Sequence, residues 1–311
     1  MFTFLIPIRH PERVRDADLF RQYLLQTFAS LEAQTASDWR AILVANEGHA
    51  LPDLPDRASV HRVDFAPPKR LSEAETPTEY ERLLREDKGR RLTAGIKDIP
   101  PDALVMLMDD DDWISAKLVE FCLNDQSWDG GYYVFDGYVR QTGADAVTPV
   151  SEFQGLCGSS IIVRPKDLMM YDTGAFRADD ESIIELGDHL MLFRNLGLKK
   201  GRLRPIPFPS AVYRVGHPTS TKIDLDIMQT NTQSSSKMTR ITSRLASIRN
   251  IGEFVDFLRF RSFVRRYDER RVYGEERPID DDLAAEFFGG ALDAGLAPHA
   301  DDARASQLEA G

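Results

Sequence analysis

The sequence predicts a mixed α/β fold, a mostly parallel sheet flanked by helices with a helical C-terminal extension. Three observations predict it. Short apolar runs alternate with stretches whose apolar side chains recur at helical spacing. The run "ALVMLM" (103–108) is too uniformly apolar for a strand with one wet face, which suits a central strand. It stops abruptly at four carboxylates, Asp109, Asp110, Asp111 and Asp112, at the strand end where ligands gather in such sheets.

In chain order, "FTFLIPI" (2–8) predicts a buried first strand closed by Pro7 near its carboxyl edge. A helix follows over 16–35, with Leu19, Tyr23, Phe28 and Leu31 sharing a face and Asp16 or Asp18 available as its cap. Residues 39–48 form a second strand running into a polar turn, and 59–67 a short third. The pattern over 78–100 is helical, with a break around Lys88 and Gly89. Beyond the fourth strand, further strands are expected at 132–140, 159–165 and 211–215, with a helix at 185–197. The chain thus divides into an α/β domain (1–222), an Arg-rich helical extension (223–278) and an acidic, alanine-rich tail (279–311), expected to be partly disordered.

At 311 residues the chain can bury a substantial core. A net charge of −11 speaks against nucleic acid as a partner, because phosphate backbones demand a positive field. Cys122 and Cys157 form no metal or redox spacing and are expected as reduced thiols. The opening residues lack the pattern of a signal peptide, and no segment reaches the ~20 apolar residues that span a bilayer. The expected location is the cytoplasm, with peripheral contact at the inner face of the membrane as an option.

Adjacent carboxylates repel, so water or a cation must compensate them. Three explanations compete. Asp112 can cap a helix beginning in "DDWISAKLVEFC". A calcium loop of the EF-hand kind fits Asp109, Asp111 and Glu120, but Trp113 and Ile114 fall where an oxygen ligand and a glycine are required. The third is Mn²⁺ or Mg²⁺ shared with a substrate's phosphates, which one or two carboxylates suffice to hold. Asp109 and Asp111, two apart on an extended strand end, can aim the same way.

At these residues the chain resembles a GT-A-fold (Rossmann-like) glycosyltransferase of the large inverting family 2 group. "MLMDDDDWIS" resembles the family's strand-ending Asp-X-Asp element, and "FTFLIPIRHPERV" its opening strand, with Arg9-His10 where small polar residues are usual. "SLEAQTASDWRAILVANEG" resembles its first helix and second strand, with Asn46-Glu47 where an aspartate usually meets the nucleobase. "EDKGRRLTAGI" resembles its Asp-Lys-Gly element. The match covers roughly 2–220 and lies in the order and spacing of the motifs.

The resemblance implies a nucleotide-diphosphate sugar as donor and a carbohydrate or lipid-linked acceptor. It places Pro7, Arg9, Asn46, Glu47, Lys88, Asp109 and Asp110 at the nucleotide, with Asp111 and Asp109 on the metal. Lys88 either reaches phosphate oxygens or is an ordinary exposed helix lysine. "ELGDHLMLFRNLG" resembles the acidic pair that supplies the base, with Asp188 as the matching residue and Gly187 replacing the usual preceding acid. Asp188 can instead act as a plain helix cap, and Glu185 is near enough to substitute. In "YRVGHPTSTK", His217 resembles a late histidine that completes metal or diphosphate binding, with an ordinary surface role as the alternative.

The glycine-rich stretch 154–163 is either a close approach to bound sugar or a turn into a strand. The basic amphipathic stretch 239–271 can lie on an anionic membrane, pack on the parent domain, or form a homodimer contact. Two other classes stay open. One is a catalytically silent binding or scaffold protein of polysaccharide biosynthesis. The other is a nucleotidyltransferase, which would show a glycine-rich loop after the first strand where "IPIRHPERV" has none.

Overall fold

The computed structural model describes residues 1–125, 127–171, 174–216 and 271–288. Two sheets organise it. The larger contains β1 (Phe2–Pro7), β2 (Trp39–Asn46), β3 (Ala58–Val63), β4 (Leu104–Leu107), β6 (Gly131–Val134), β9 (Ile161–Val163) and β10 (Leu203–Ile206), in the order β10-β6-β9-β4-β1-β2-β3. All neighbours are parallel except at β9, which runs against both β4 and β6. The expected mostly parallel sheet is therefore present. The smaller sheet has the order β12-β8-β7-β11-β5 and comprises β5 (Trp113–Ile114), β7 (Asp136–Gln141), β8 (Ala146–Ser151), β11 (Ala211–Val215) and β12 (Arg277–Pro278).

Alternation along each central strand sorts side chains between two layers. Phe2, Phe4 and Ile6 of β1, with Met106 and Met108 at β4, meet Phe20, Leu24, Phe28 and Leu31 of α1 (Ala17–Glu32) and Leu118 and Val119 of α3 (Leu118–Asn124). Leu5, Val44, Val105 and Leu107 face the opposite way. There they join Leu92 and Ile96 of α2 (Pro77–Ile96), Leu186 of α4 (Asp180–Gly187) and Leu192 of α5 (His189–Leu192). Asp16 caps α1, accepting from the Leu19 N–H at 2.9 Å, and Thr76 caps α2.

β2 and β3 extend the sheet to one side of β1, whereas β4 lies on the other. The gap between the carboxyl ends of β1 and β4 is thus a topological switch point, the crevice where open α/β sheets bind ligands.

Four expectations need correction. The helix over 78–100 ends at Ile96 and does not break at Gly89. Glycine stands there because a Cβ would lie 1.9 Å from the Ile183 carbonyl oxygen of α4. The single strand at 132–140 is two, β6 and β7, and the chain passes from one sheet to the other between them. The helix expected at 185–197 starts at Asp180, breaks at Asp188 and continues beyond α5 as a π-helical turn over Phe193–Lys199. Asp112 caps nothing, since α3 begins only at Leu118.

Part of the acidic tail packs. Helix α6 (Asp281–Phe288) buries Leu283, Phe287 and Phe288 against Trp113, Tyr138 and Val212, at about 1.5–3 kcal/mol for each large side chain. Of the helical extension expected over 223–278, residues 223–270 lie outside the described residues, while 271–278 hold no helix and end in β12, paired with β8. No helix among the described residues is long and apolar enough to cross a membrane.

Gly89→Ala should lower stability by about 1–3 kcal/mol, because α2 and α4 must part to admit the methyl group. Urea denaturation checks this; an unchanged midpoint would mean the helices do not touch there.

Candidate functional site

The aspartates occupy the crossing between the sheets. Main-chain pairing of β4 with β1 persists to Met108, whose N–H donates to Leu5 O at 3.1 Å. The next regular residue is Trp113, already in the smaller sheet. Asp109–Asp112 span the interval, beside the switch point, and each has a separate environment.

Asp109 accepts from Lys88 Nζ of α2, while its own N–H donates to Ser159 Oγ at 2.8 Å. Burial opposes the Lys88 charge, yet Asp109 outweighs that cost and holds the ammonium above its usual value. Asp110 Oδ1 accepts from Arg9 Nη2 at 3.0 Å, whereas Asp110 Oδ2 is buried without a hydrogen-bond partner. The same guanidinium lies 3.7 Å from Asp111 Oδ2. Asp110 raises the Arg9 pKa, and burial raises that of Asp110. Asp112 is wholly buried and accepts from Ser159 Oγ (2.5 Å), Cys157 Sγ (3.1 Å) and the Arg214 N–H (3.3 Å). Burial, then Asp111 and Asp109, still push its carboxyl up to about 8. Burial raises the Cys157 thiol too, which keeps it a donor.

A third cation completes the crossing. Arg214 of β11 is buried between the rings of Trp113 (4.4 Å) and Tyr23 (4.5 Å). Its guanidinium donates to Asp111 O, Gln26 Oε1 and Tyr23 O. Burial lowers its pKa to about 10. Three cations, Arg9, Lys88 and Arg214, thus meet the four acids.

Helix α2 serves the site through basic residues three apart, each near the next along one side of the helix. Lys88 reaches Asp109. Arg91 is buried, bonds Asp87 through two nitrogens (2.9 and 3.0 Å) and donates to Asn46 Oδ1 at 2.7 Å. Asn46 Nδ2 in turn donates to Phe65 O at 2.7 Å. Asn46 is therefore braced within the end of β2, while neighbouring Glu47 is exposed. Arg85 Nε lies 3.2 Å from Asp188 Oδ2.

Asp188 is buried, and its Oδ1 accepts from the N–H groups of Leu190 and Met191. It caps α5, as the alternative expectation had it, and pairs with Arg85 as well. A carboxylate offers about four lone-pair sites, so these three contacts leave one. Gly187 replaces a larger residue for a steric reason, since a Cβ there would lie 1.9 Å from Arg85 O. Glu185 is buried and accepts from Asn195 Nδ2. In the glycine-rich stretch, the backbone does make a close approach, but to protein. A Cβ on Gly158 would lie 2.4 Å from Asp109 Oδ2 and 2.7 Å from Lys88 Nζ.

Arg9, Lys88, Asp109, Asp110 and Asp111 are thus brought together. Pro7 ends β1 just before Arg9. Asn46 and Asp188 join the group only through α2, and His217 lies outside the described residues. Among the described residues, no three His, Cys, Asp or Glu side chains are grouped so as to hold a metal ion. Sequence reasoning missed Arg85, Arg91 and Arg214. The spacing Arg85-Lys88-Arg91 was the available signal for the first two, and an arginine inside the apolar strand "AVYRV" for the third.

No family model matches the chain, and no curated protein does. Two solved structures of S. aureus TarS are similar to it. One covers residues 1–349 of that protein. It is 11% identical with a TM-score of 0.36, over 68% of this chain and 60% of its own. The other is also 11% identical, with a TM-score of 0.35, over 76% of this chain and 41% of its own. The chain spans less than two thirds of either, and both likenesses are weak ones of general α/β layout.

The Asp112 carboxyl sets a pH dependence. Its pKa rises on folding from 3.8 to about 8, so the folded state binds the extra proton and stability falls as pH climbs through that window. Asp112→Asn should lose less stability than the native protein between pH 5 and 9. Urea midpoints across that range decide it; parallel curves would refute the buried proton.

Proposed function

We propose that this protein is a metal-dependent inverting glycosyltransferase. It would take a sugar from a nucleotide-diphosphate donor, UDP-linked, and pass it to a carbohydrate or lipid-linked acceptor in the cytoplasm. The observation that carries the proposal is the placement of Asp109 and Asp111 beside the switch point. Their side chains are 31% and 13% exposed, against 5% for Asp110 and none for Asp112. These are the two most exposed carboxylates of the four.

These residues fit a hard divalent cation of the kind completed by substrate phosphates rather than by a full protein cage. Asp109 and Asp111 would hold it, with His217 a further candidate. When bound, Mn²⁺ or Mg²⁺ supplies Lewis-acid stabilisation of charge on the departing diphosphate. The chain's own contribution is positional. Arg9 and Lys88 bring positive charge to the same crevice, where preorganised cations favour a leaving phosphate. The braced end of β2, with Asn46 and Glu47, offers a wall for the base. Asp188, fixed by two N–H groups and Arg85, would accept the acceptor hydroxyl's proton at its remaining lone pair.

A silent binding or scaffold role is the second reading, favoured by one observation: the described carboxylates of the site are all engaged by the protein itself.

Two measurements separate these readings. UDP affinity should rise with Mn²⁺ for the native chain and not for Asp111→Asn; equal responses would remove the metal role. Nucleotide release from a panel of UDP-sugars with acceptor should fall by about 10²–10⁴-fold in Asp188→Asn, with donor affinity retained. Native protein that binds donors but never turns them over would establish the silent reading.

A further inference from the structure

We propose that Arg9 and Lys88 are exchangeable counter-ions. They neutralise Asp109, Asp110 and Asp111, and they turn to the donor's diphosphate when a divalent cation takes those carboxylates. This inference deepens the function proposed above and rests on it.

Charge makes the case first. Arg9 bonds Asp110 and lies beside Asp111, and Lys88 bonds Asp109, so both cations already engage the carboxylates that a metal would take. A divalent cation entering alone would add two positive charges beside Arg9 and Lys88, where like charges repel. A nucleotide-diphosphate sugar brings two negative charges on its phosphates and restores balance. Cation and donor should therefore bind together and poorly apart.

Geometry separates the movable cations from the fixed one. The side chains of Arg9 and Lys88 are 29% and 27% exposed, so each meets solvent at the crevice. Arg214 is buried, sandwiched between two rings and tied to main-chain oxygens, so it stays. Gly158 lies against the Lys88–Asp109 pair with no side chain of its own, so nothing at that residue blocks the turn. Asp110 Oδ2, buried and without a hydrogen-bond partner, marks acceptor capacity that the protein leaves unused.

Calorimetric titrations of Mn²⁺ alone, UDP alone and each in the presence of the other test this on the full chain. For the native protein, each ligand should tighten the other by about 100-fold, the two factors being equal by linkage. Arg9→Ala and Lys88→Ala should bind Mn²⁺ alone about tenfold more tightly than native, and UDP with saturating Mn²⁺ about tenfold more weakly. Arg90→Ala, which removes an exposed charge from the same helix, should change neither more than twofold. Arg9→Gln and Lys88→Gln replace the alanine variants if those fail to fold. Native protein that binds neither ligand overturns both the inference and the function beneath it. Native protein that binds them cooperatively, with Mn²⁺ affinity unmoved in the variants, overturns the exchange alone. So does UDP that binds the native chain equally well without Mn²⁺.

Discussion

The compensation of adjacent carboxylates by cations from three distant elements is the constraint on which the site depends. Asp109, Asp110 and Asp111 sit where the chain leaves one sheet for another, with no regular backbone to separate their charges. Arg9 follows β1, Lys88 rides on α2 and Arg214 sits in β11, so the crossing assembles only when all three elements are in place. Asp112 is handled differently: burial and neighbouring charge raise its pKa, and it accepts from Ser159 and Cys157. Folding and charge compensation are therefore one event here.

The same arrangement explains the close packing of α2 on α4. The helix must lie near enough for Arg85 to reach Asp188 while Lys88 reaches Asp109 and Arg91 reaches Asn46. Gly89 and Gly187 make that approach feasible, each lying against the backbone of the other helix. An acid at position 187 would collide with Arg85 O, so its loss is the cost of the close crossing. On the other side, α6 packs on Trp113, and Glu286 accepts from Ser115 Oγ (2.6 Å) and Lys117 Nζ (3.0 Å) just beyond the acids. The far end of the chain thus stiffens the exit from the crossing.

The cations divide by burial: Arg214 is enclosed between two rings, whereas Arg9 and Lys88 are partly exposed at the crossing.

The sequence by itself determined the strands β1 to β4, β9 and β11 and their order of appearance, because apolar runs and helical spacing are local properties of each element. It also placed Asp109 and Asp111 at a carboxyl edge and singled out Lys88 and Asp188. Only the tertiary structure decided what those residues touch. Arg9 meets Asp110 across 101 positions and Arg214 meets Asp111 across 103, and no spacing rule relates residues so far apart. The division of 132–140 between two sheets, the unbroken helix at Gly89 and the burial of Asp112 were hidden for the same reason. Each depends on a neighbour supplied by a remote part of the chain, and local pattern carries no record of that neighbour.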